Sequence, residues 1–105
     1  VVLYLPGTAA GSKVVLTGHS LGGGLGTIAA ASTGVPAIVF SAPNAIMSRF
    51  KFDITMATLD VWPYSIIPKH DPVAMIDKPG ILNQGIECSS DGMACHELGR
   101  TQCEL

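Results

Sequence analysis

Charged side chains are scarce in this sequence, and nearly half of the chain has almost none. The 105 residues include six Lys and Arg and eight Asp and Glu, which gives a formal net charge of -2. This balance provides neither the basic footprint of a nucleic-acid-binding protein nor a strongly acidic tail. Because 48% of the residues are hydrophobic, a disordered chain is also excluded. The composition predicts at most one small, apolar, globular domain.

The stretch from Val14 to Ser48 has no Asp, Glu, Lys or Arg, which raises the question of a membrane span. A transmembrane helix needs about 20 consecutive, predominantly apolar residues. This stretch lacks that continuity, because His19, Asn44, two prolines and a cluster of glycines interrupt it. We therefore predict no transmembrane segment. We expect instead a strand, a helix and a second strand that are buried in the centre of a parallel sheet.

Strand and helix patterns alternate in the first half of the chain, which predicts an α/β architecture. The helix follows from apolar residues that recur on one face of a 3.6-residue period, and Gly34 is expected to end it. Pro63 has no amide donor, so its strand is expected to be an edge strand or to begin after Pro63. The expected strands are 1–5, 13–17, 37–40, 61–67 and a short one at 81–86, although 1–5 is equally compatible with a helix end. The residues on this face of the predicted helix are Leu21, Leu25, Ile28, Ala29 and Ser32. A further short helix is expected at 95–105.

The strongest chemical signal is Gly18-His19-Ser20-Leu21-Gly22, a G-x-S-x-G motif between the predicted strand and helix. A nucleophile on such a sharp turn needs a strained backbone, and the flanking glycines are expected to remove Cβ atoms that would collide with neighbouring elements. The turn places Ser20 at a helix N-terminus, where the Leu21 amide would be the first donor of an oxyanion hole. The alternative is a serine that only caps the helix.

A serine nucleophile needs a base, and the chain offers His19, His70 and His96. In proteins with this motif, the acid and then the base follow the serine along the chain. His19 directly precedes Ser20 in the turn, so its side chain is expected to point away from the hydroxyl, and we expect a packing role for it. His70 directly precedes Asp71, the acid predicted below, and has the same problem of adjacency. His96 is therefore the predicted base. The alternative is a surface loop histidine or a metal ligand.

The predicted acid is Asp71, because it directly follows an apolar strand. The carboxyl ends of parallel strands are where such sites assemble. Asp77, six residues further on, is the reserve choice. A solvated turn aspartate is the alternative for both.

Cysteine is confined to the last 18 residues, at Cys88, Cys95 and Cys103. The cluster predicts one disulfide plus a free thiol, or two disulfides with a fourth cysteine outside this chain, and thus an oxidising compartment. Together with His96, these cysteines also have the ligand types of a structural zinc site. The spacing argues against zinc, because Cys95 and His96 are adjacent and no C-x-x-C pair occurs.

The stretch VVLTGHSLGGGLGTIAA resembles the nucleophile elbow of the fungal-type (class 3) lipases of the α/β-hydrolase superfamily, and HDPV resembles their acid loop. The segments IIPKHDPVAMID and CHELGRTQCEL are most similar to the branch related to autophagic vacuolar lipases. The resemblance extends over nearly all of residues 13–105. It implies Ser20 as nucleophile, Asp71 as acid and His96 as base. This agrees with the order of serine, acid and base along the chain. It also implies that residues 1–5 end a helix.

From this resemblance we expect the C-terminal part of an α/β-hydrolase fold, a mostly parallel sheet with a nucleophile elbow. The expected activity is that of a serine carboxylic-ester hydrolase, a lipase that acts on acylglycerols or phospholipids at a membrane or lipid-droplet surface. This chemistry requires no metal or organic cofactor. The expected location is the secretory pathway, the extracellular space or the vacuolar or lysosomal lumen.

The chain begins at Val1 without an initiator Met or a leader pattern, so we expect a processed product or an internal piece. The lipases it resembles carry the lid and the second oxyanion donor before the nucleophile strand. We therefore also consider an inactive lipase fragment or a noncatalytic lipid-binding remnant. Missing strands would leave apolar surface exposed, which predicts marginal stability or association.

Overall fold

A five-stranded sheet organises the structure, a computed structural model that describes residues 2–3 and 14–105. Strands β2 to β5 run parallel, and β1 pairs with β2 in the antiparallel direction. This confirms the predicted α/β architecture with a mostly parallel sheet. In sheet order, which is also chain order, the strands are β1 (Val2–Leu3), β2 (Val15–His19), β3 (Ala37–Phe40), β4 (Pro63–Pro68) and β5 (Asn83–Ile86).

The longest helix of the described residues follows β2 directly and ends where predicted. It is α1 (Leu21–Thr33), and Gly34 closes it in the left-handed conformation at φ 71°, where its amide donates to the carbonyl of Ala30. No helix within residues 2–3 and 14–105 has the length and apolar character to cross a bilayer. The remaining helices are short: a first 3₁₀ helix (Arg49–Phe52), α2 (Met56–Leu59), a second 3₁₀ helix (Gly92–His96) and α3 (Leu98–Glu104).

Helix α1 packs on the sheet mainly through its smallest residues, whereas the two leucines of the predicted apolar face are exposed. Leu21 is 70% exposed and Leu25 is 61% exposed. The reason is the close approach that glycine allows, since a Cβ at Gly23 would lie only 2.8 Å from the Cβ of Ala42. The apolar period therefore identifies the helix but not its buried face. That face consists of Gly23, Gly24, Gly26, Thr27, Ala30 and Ala31.

Strand β4 corrects the prediction for Pro63. The strand lies between β3 and β5, so it is not an edge strand, and it begins at Pro63 rather than after it. Proline is tolerated at this first position, because the amide of Ala37 on β3 pairs with the carbonyl of Trp62 at 3.0 Å and needs no donor from Pro63.

The N-terminal apolar run is described only at Val2 and Leu3. These two residues form β1, opposite Leu16 and Val15 of β2. The strand interpretation is thus confirmed for them, and the helix end that the family resemblance implies is not found there. The other residues of the run, 1, 4 and 5, lie outside the described residues, as does Lys13 at the start of the expected second strand.

The main core lies between α1 and one face of the sheet. Leu16, Ala37 and Val39 project from β2 and β3 toward this helix and are buried with Ala30. The opposite face is more open, since Ile38, between Ala37 and Val39 on β3, is 44% exposed. The carboxyl ends of the parallel strands meet at one edge of the sheet, where the predicted site residues follow β2 and β4.

Candidate active site

The turn between β2 and α1 holds Ser20 in a strained backbone conformation, with φ 57° and ψ -125°. The Ser20 amide is anchored by a 3.0 Å hydrogen bond to the carbonyl of Phe40 on β3. The hydroxyl of Ser20 makes no capping bond to α1, which argues against a serine that only caps the helix. The sequence motif therefore folds into the strand, sharp turn and helix that the G-x-S-x-G pattern predicts.

The two flanking glycines of the motif have different roles. A Cβ at Gly18 would overlap the carbonyl of Gly22 and lie 2.7 Å from the amide nitrogen of Gly23, so the expected collision is present there. At Gly22, a Cβ would meet nothing within 4 Å. The expectation that both glycines are sterically required is therefore wrong for Gly22, because its α-carbon faces open space at the start of the helix.

His96 lies beside Ser20 although 76 positions separate them in the chain. Its Nε2 is 2.7 Å from the Ser20 hydroxyl oxygen. His96 ends the second 3₁₀ helix, and its side chain is only 12% exposed. It is thus neither a surface loop histidine nor, within the described residues, part of a cluster of metal-ligating side chains.

Asp71 lies on the other side of the His96 imidazole and completes a hydrogen-bonded row of Ser20, His96 and Asp71. Both of its carboxylate oxygens are 3.1 Å from Nδ1 of His96. Asp71 is fully buried and accepts a further hydrogen bond from the Val73 amide at 2.9 Å. Since an ionised carboxylate only accepts, the proton of this pair belongs on Nδ1. The Nε2 atom is then free to accept the proton of the Ser20 hydroxyl.

The reserve acid, Asp77, is not part of this row. It accepts hydrogen bonds from the Met47 amide at 2.7 Å and from the amide and hydroxyl of Ser48 at 3.0 and 2.7 Å. Partial burial on its own would raise the pKa of Asp77, but the hydrogen bonds from Met47, Ser48 and Lys78 lower that pKa below its ordinary value. Asp77 therefore ties two loops together.

The predicted oxyanion donor, the amide of Leu21, is the first amide of α1. The first amides of a helix have no acceptor within the helix, and within the described part of the chain none is found for this one. The positive end of the helix dipole adds to its preference for negative charge. The position thus suits an oxyanion that develops on the oxygen of a carbonyl group whose carbon is bonded by the Ser20 oxygen.

An apolar groove of about 370 Å³ begins beside this turn. One wall is the exposed side of α1, with Leu21, Leu25 and Ile28. The other wall comes from the segments after β3 and β4, including Phe52 and Ile76. The leucines that do not face the sheet therefore line this groove.

Cys88 and Cys95 form a disulfide, and Cys103 is exposed and unpaired within the chain. The expected disulfide thus exists, and it flanks His96. The pairing is inconsistent with a zinc site built from these cysteines, because a disulfide sulfur is not a thiolate ligand. The residues that the structure describes hold no alternative group of three metal ligands.

His19 packs as predicted, but it also makes a contact with His96 that the sequence did not predict. Its Nε2 is 2.6 Å from the carbonyl oxygen of His96, and the centroids of the two rings are 4.8 Å apart. The only signal in the sequence was the position of His19 directly before Ser20. Chain order alone does not predict a hydrogen bond between residues that are 77 positions apart. The other histidine considered, His70, is exposed and makes no such contact in the described structure.

No protein-family model matches this chain, and a search of curated proteins finds no match. The site is therefore interpreted from its own geometry. Ser20, His96 and Asp71 form a continuous hydrogen-bonded row in which a hydroxyl can lose its proton to an imidazole, whose other nitrogen is held by a buried carboxylate.

Proposed function

We propose that this protein is a serine carboxylic-ester hydrolase with Ser20 as nucleophile, His96 as base and Asp71 as acid. The observation that supports it most directly is the 2.7 Å contact between the Ser20 oxygen and Nε2 of His96. A hydroxyl is a weak nucleophile unless an adjacent base removes its proton, and this distance lies within the range for that transfer. The proposal includes membership of the α/β-hydrolase superfamily.

The reaction proceeds by double displacement. Nε2 of His96 takes the hydroxyl proton as the Ser20 oxygen bonds to the ester carbonyl carbon, and the carbonyl oxygen gains the negative charge. The Leu21 amide donates to that oxygen, while Asp71 stabilises the imidazolium. When the bond to the alcohol oxygen breaks, His96 gives the proton to the leaving alcohol. Water then attacks the acyl-enzyme by the same steps, which releases the acid and restores Ser20.

We propose lipid esters, either acylglycerols or phospholipids, as the substrates. The apolar groove beside Ser20 supports an acyl chain, because Leu21 lies next to the nucleophile and also lines the groove. Apolar area that leaves water in such a groove contributes about 25 cal/mol per Å² to binding. The resemblance to class 3 lipases points to the same substrates.

The disulfide supports a location in an oxidising compartment. Disulfides persist in the secretory pathway and outside the cell, whereas the cytosol keeps thiols reduced. We therefore propose that the protein works in the secretory pathway, in the extracellular space or in a vacuolar or lysosomal lumen.

A fluorophosphonate probe, which reacts covalently with an activated serine, tests the nucleophile. We expect the intact protein to be labelled and Ser20→Ala to be unlabelled. Ser32→Ala is the matched control, because Ser32 is an exposed serine on α1. Labelling that survives Ser20→Ala would contradict the proposal.

Flotation with neutral phospholipid vesicles separates the enzyme from a noncatalytic lipid-binding remnant. Wild-type protein that floats with vesicles, but is neither labelled nor able to release fatty acid, would contradict catalysis and indicate the remnant. Release of fatty acid by the wild type and not by Ser20→Ala would support the hydrolase.

A further inference from the structure

The hydrogen bond between His19 and His96 has a defined direction. The carbonyl oxygen of His96 can only accept, so the proton in the 2.6 Å contact belongs on Nε2 of His19. His19 is the last residue of β2, and its backbone runs directly into Ser20. The bond therefore links the main chain of the base to the residue that precedes the nucleophile.

His96 is held at three atoms by three different parts of the fold. Its Nδ1 contacts Asp71, its Nε2 contacts Ser20, and its carbonyl accepts from His19. The two ring contacts restrict rotation of the imidazole about the side-chain bonds of His96. The carbonyl contact acts on the main chain instead, and it fixes the position from which the imidazole reaches Ser20.

We propose that His19 is a positioning residue that sets the distance between His96 and Ser20, an inference that rests on the hydrolase proposed above. The rings of His19 and His96 also pack at 4.8 Å with an interplanar angle of 35°, so the second 3₁₀ helix rests on the end of β2. Proton transfer requires hydrogen-bond distance, and a displacement of about 1 Å in a catalytic group costs about 100-fold in rate. Loss of the His19 donor should therefore slow the chemistry without removing a substrate contact.

The Nε2 atom of His19 does not compete with His96 for the role of base. It already carries the proton of the bond to the His96 carbonyl, so that nitrogen cannot accept one from Ser20. The role assigned here differs from packing alone, because packing would need the ring and not the donor. Ring packing and hydrogen-bond donation can be separated by one substitution that keeps the ring and another that keeps the donor.

The test compares His19→Phe, which keeps a flat ring, with His19→Gln, which places an amide donor near the position of Nε2. The measurement is kcat and KM for a soluble p-nitrophenyl ester. We expect His19→Phe to lower kcat by about 10- to 100-fold with KM changed less than twofold. His19→Gln should recover most of the lost kcat. Glu87→Gln, an exposed change, is the control and should leave both constants unchanged.

Two results would overturn the positioning role. One is a kcat for His19→Phe equal to that of the wild type. The other is an equal loss in His19→Phe and His19→Gln, because a donor restored near the position of Nε2 would then have no effect on kcat. Circular dichroism melts of each variant establish that the folded state is compared.

Ring ¹⁵N spectra keep the inference testable if a variant does not fold or if the protein hydrolyses no ester. In the wild type, His19 should be the Nε2-protonated tautomer and His96 the Nδ1-protonated one. A His19 that carries its proton on Nδ1 and none on Nε2 would overturn the positioning role whatever the activity. Conversely, the expected tautomers in a protein without Ser20-dependent hydrolysis would count against the proposed function and not against the His19 contact.

Discussion

At the scale of single residues, the backbone of Ser20 determines the direction of its hydroxyl. A non-glycine residue at φ 57° carries strain of about 1–3 kcal/mol, which the surrounding structure must offset. The bond from the Ser20 amide to Phe40 and the close packing at Gly18 hold the turn in place. The strain is local, and the contacts that maintain it are also local to the two strands and the helix.

The two glycines of the motif allow a matched comparison. Gly18→Ala should lower the free energy of unfolding by about 1–3 kcal/mol, because its Cβ would overlap the backbone of Gly22 and Gly23. Gly22→Ala should be neutral or should stabilise by up to about 1 kcal/mol, because alanine favours the helix and open space surrounds the new Cβ. Urea denaturation measures both. Equal destabilisation by the two changes would refute the assignment.

At the scale of elements, the segment that carries His96 is short and depends on links to its surroundings. The Cys88–Cys95 disulfide joins two residues that are seven positions apart, and it closes a loop that directly precedes His96. The amide and hydroxyl of Ser89 donate to Glu104 at 2.9 and 2.7 Å, which ties the same loop to α3. The hydroxyl of Ser89 is also the largest cause of the lowered pKa of Glu104. The position of His96 is therefore set by a loop with few internal backbone bonds.

Removal of the disulfide should weaken both the fold and the site. Chain-entropy arguments for so short a loop give about 2–3 kcal/mol in the free energy of unfolding for the double change Cys88→Ala and Cys95→Ala. Ester hydrolysis should fall as well, because His96 directly follows Cys95. Thermal melts and initial rates are the measurements. Cys103→Ala, at an exposed and unpaired cysteine, is the control, and an active, unshifted double variant would argue against the role of the disulfide.

The elements themselves were largely predictable, and their partners were not. β3 begins and ends at the predicted residues, and Gly34 ends α1, because these signals depend on local conformation. Pro63 misled the prediction, since a single sequence does not show which neighbouring carbonyl receives which amide. Within the site, Ser20, Asp71 and His96 could be named from motif and chain order. The bond from His19 to the His96 backbone could not, because it needs the two elements in contact.

At the scale of the whole molecule, the sheet has unequal faces. One face is covered by α1, whereas Ile38 on the other is 44% exposed. Parallel sheets are ordinarily covered on both faces. The molecule measures only 18 Å along its shortest axis. Exposed apolar area of this kind favours association between molecules. The interpretation of the chain as part of a larger fold stays a prediction.

We expect the 105-residue chain to associate in solution, and Ile38→Thr to reduce this association by removing apolar area while keeping a β-branched side chain. Ile81→Thr is the control, because Ile81 is also exposed but lies outside the strands. Sedimentation velocity across a concentration series gives the association state. A monodisperse monomer that melts cooperatively would contradict the expected association.

The sequence by itself determined the strand, turn and helix around Ser20, because backbone sterics, side-chain periodicity and glycine act over a few residues. It also supplied Asp71 and His96 as candidates through their order in the chain. Only the tertiary structure decided that a buried carboxylate, an imidazole and a hydroxyl meet within hydrogen-bond distance, that α1 buries its glycines and exposes its leucines, and that His19 holds the backbone of His96. These contacts join residues far apart in the chain, so they depend on how the elements pack and not on local preference.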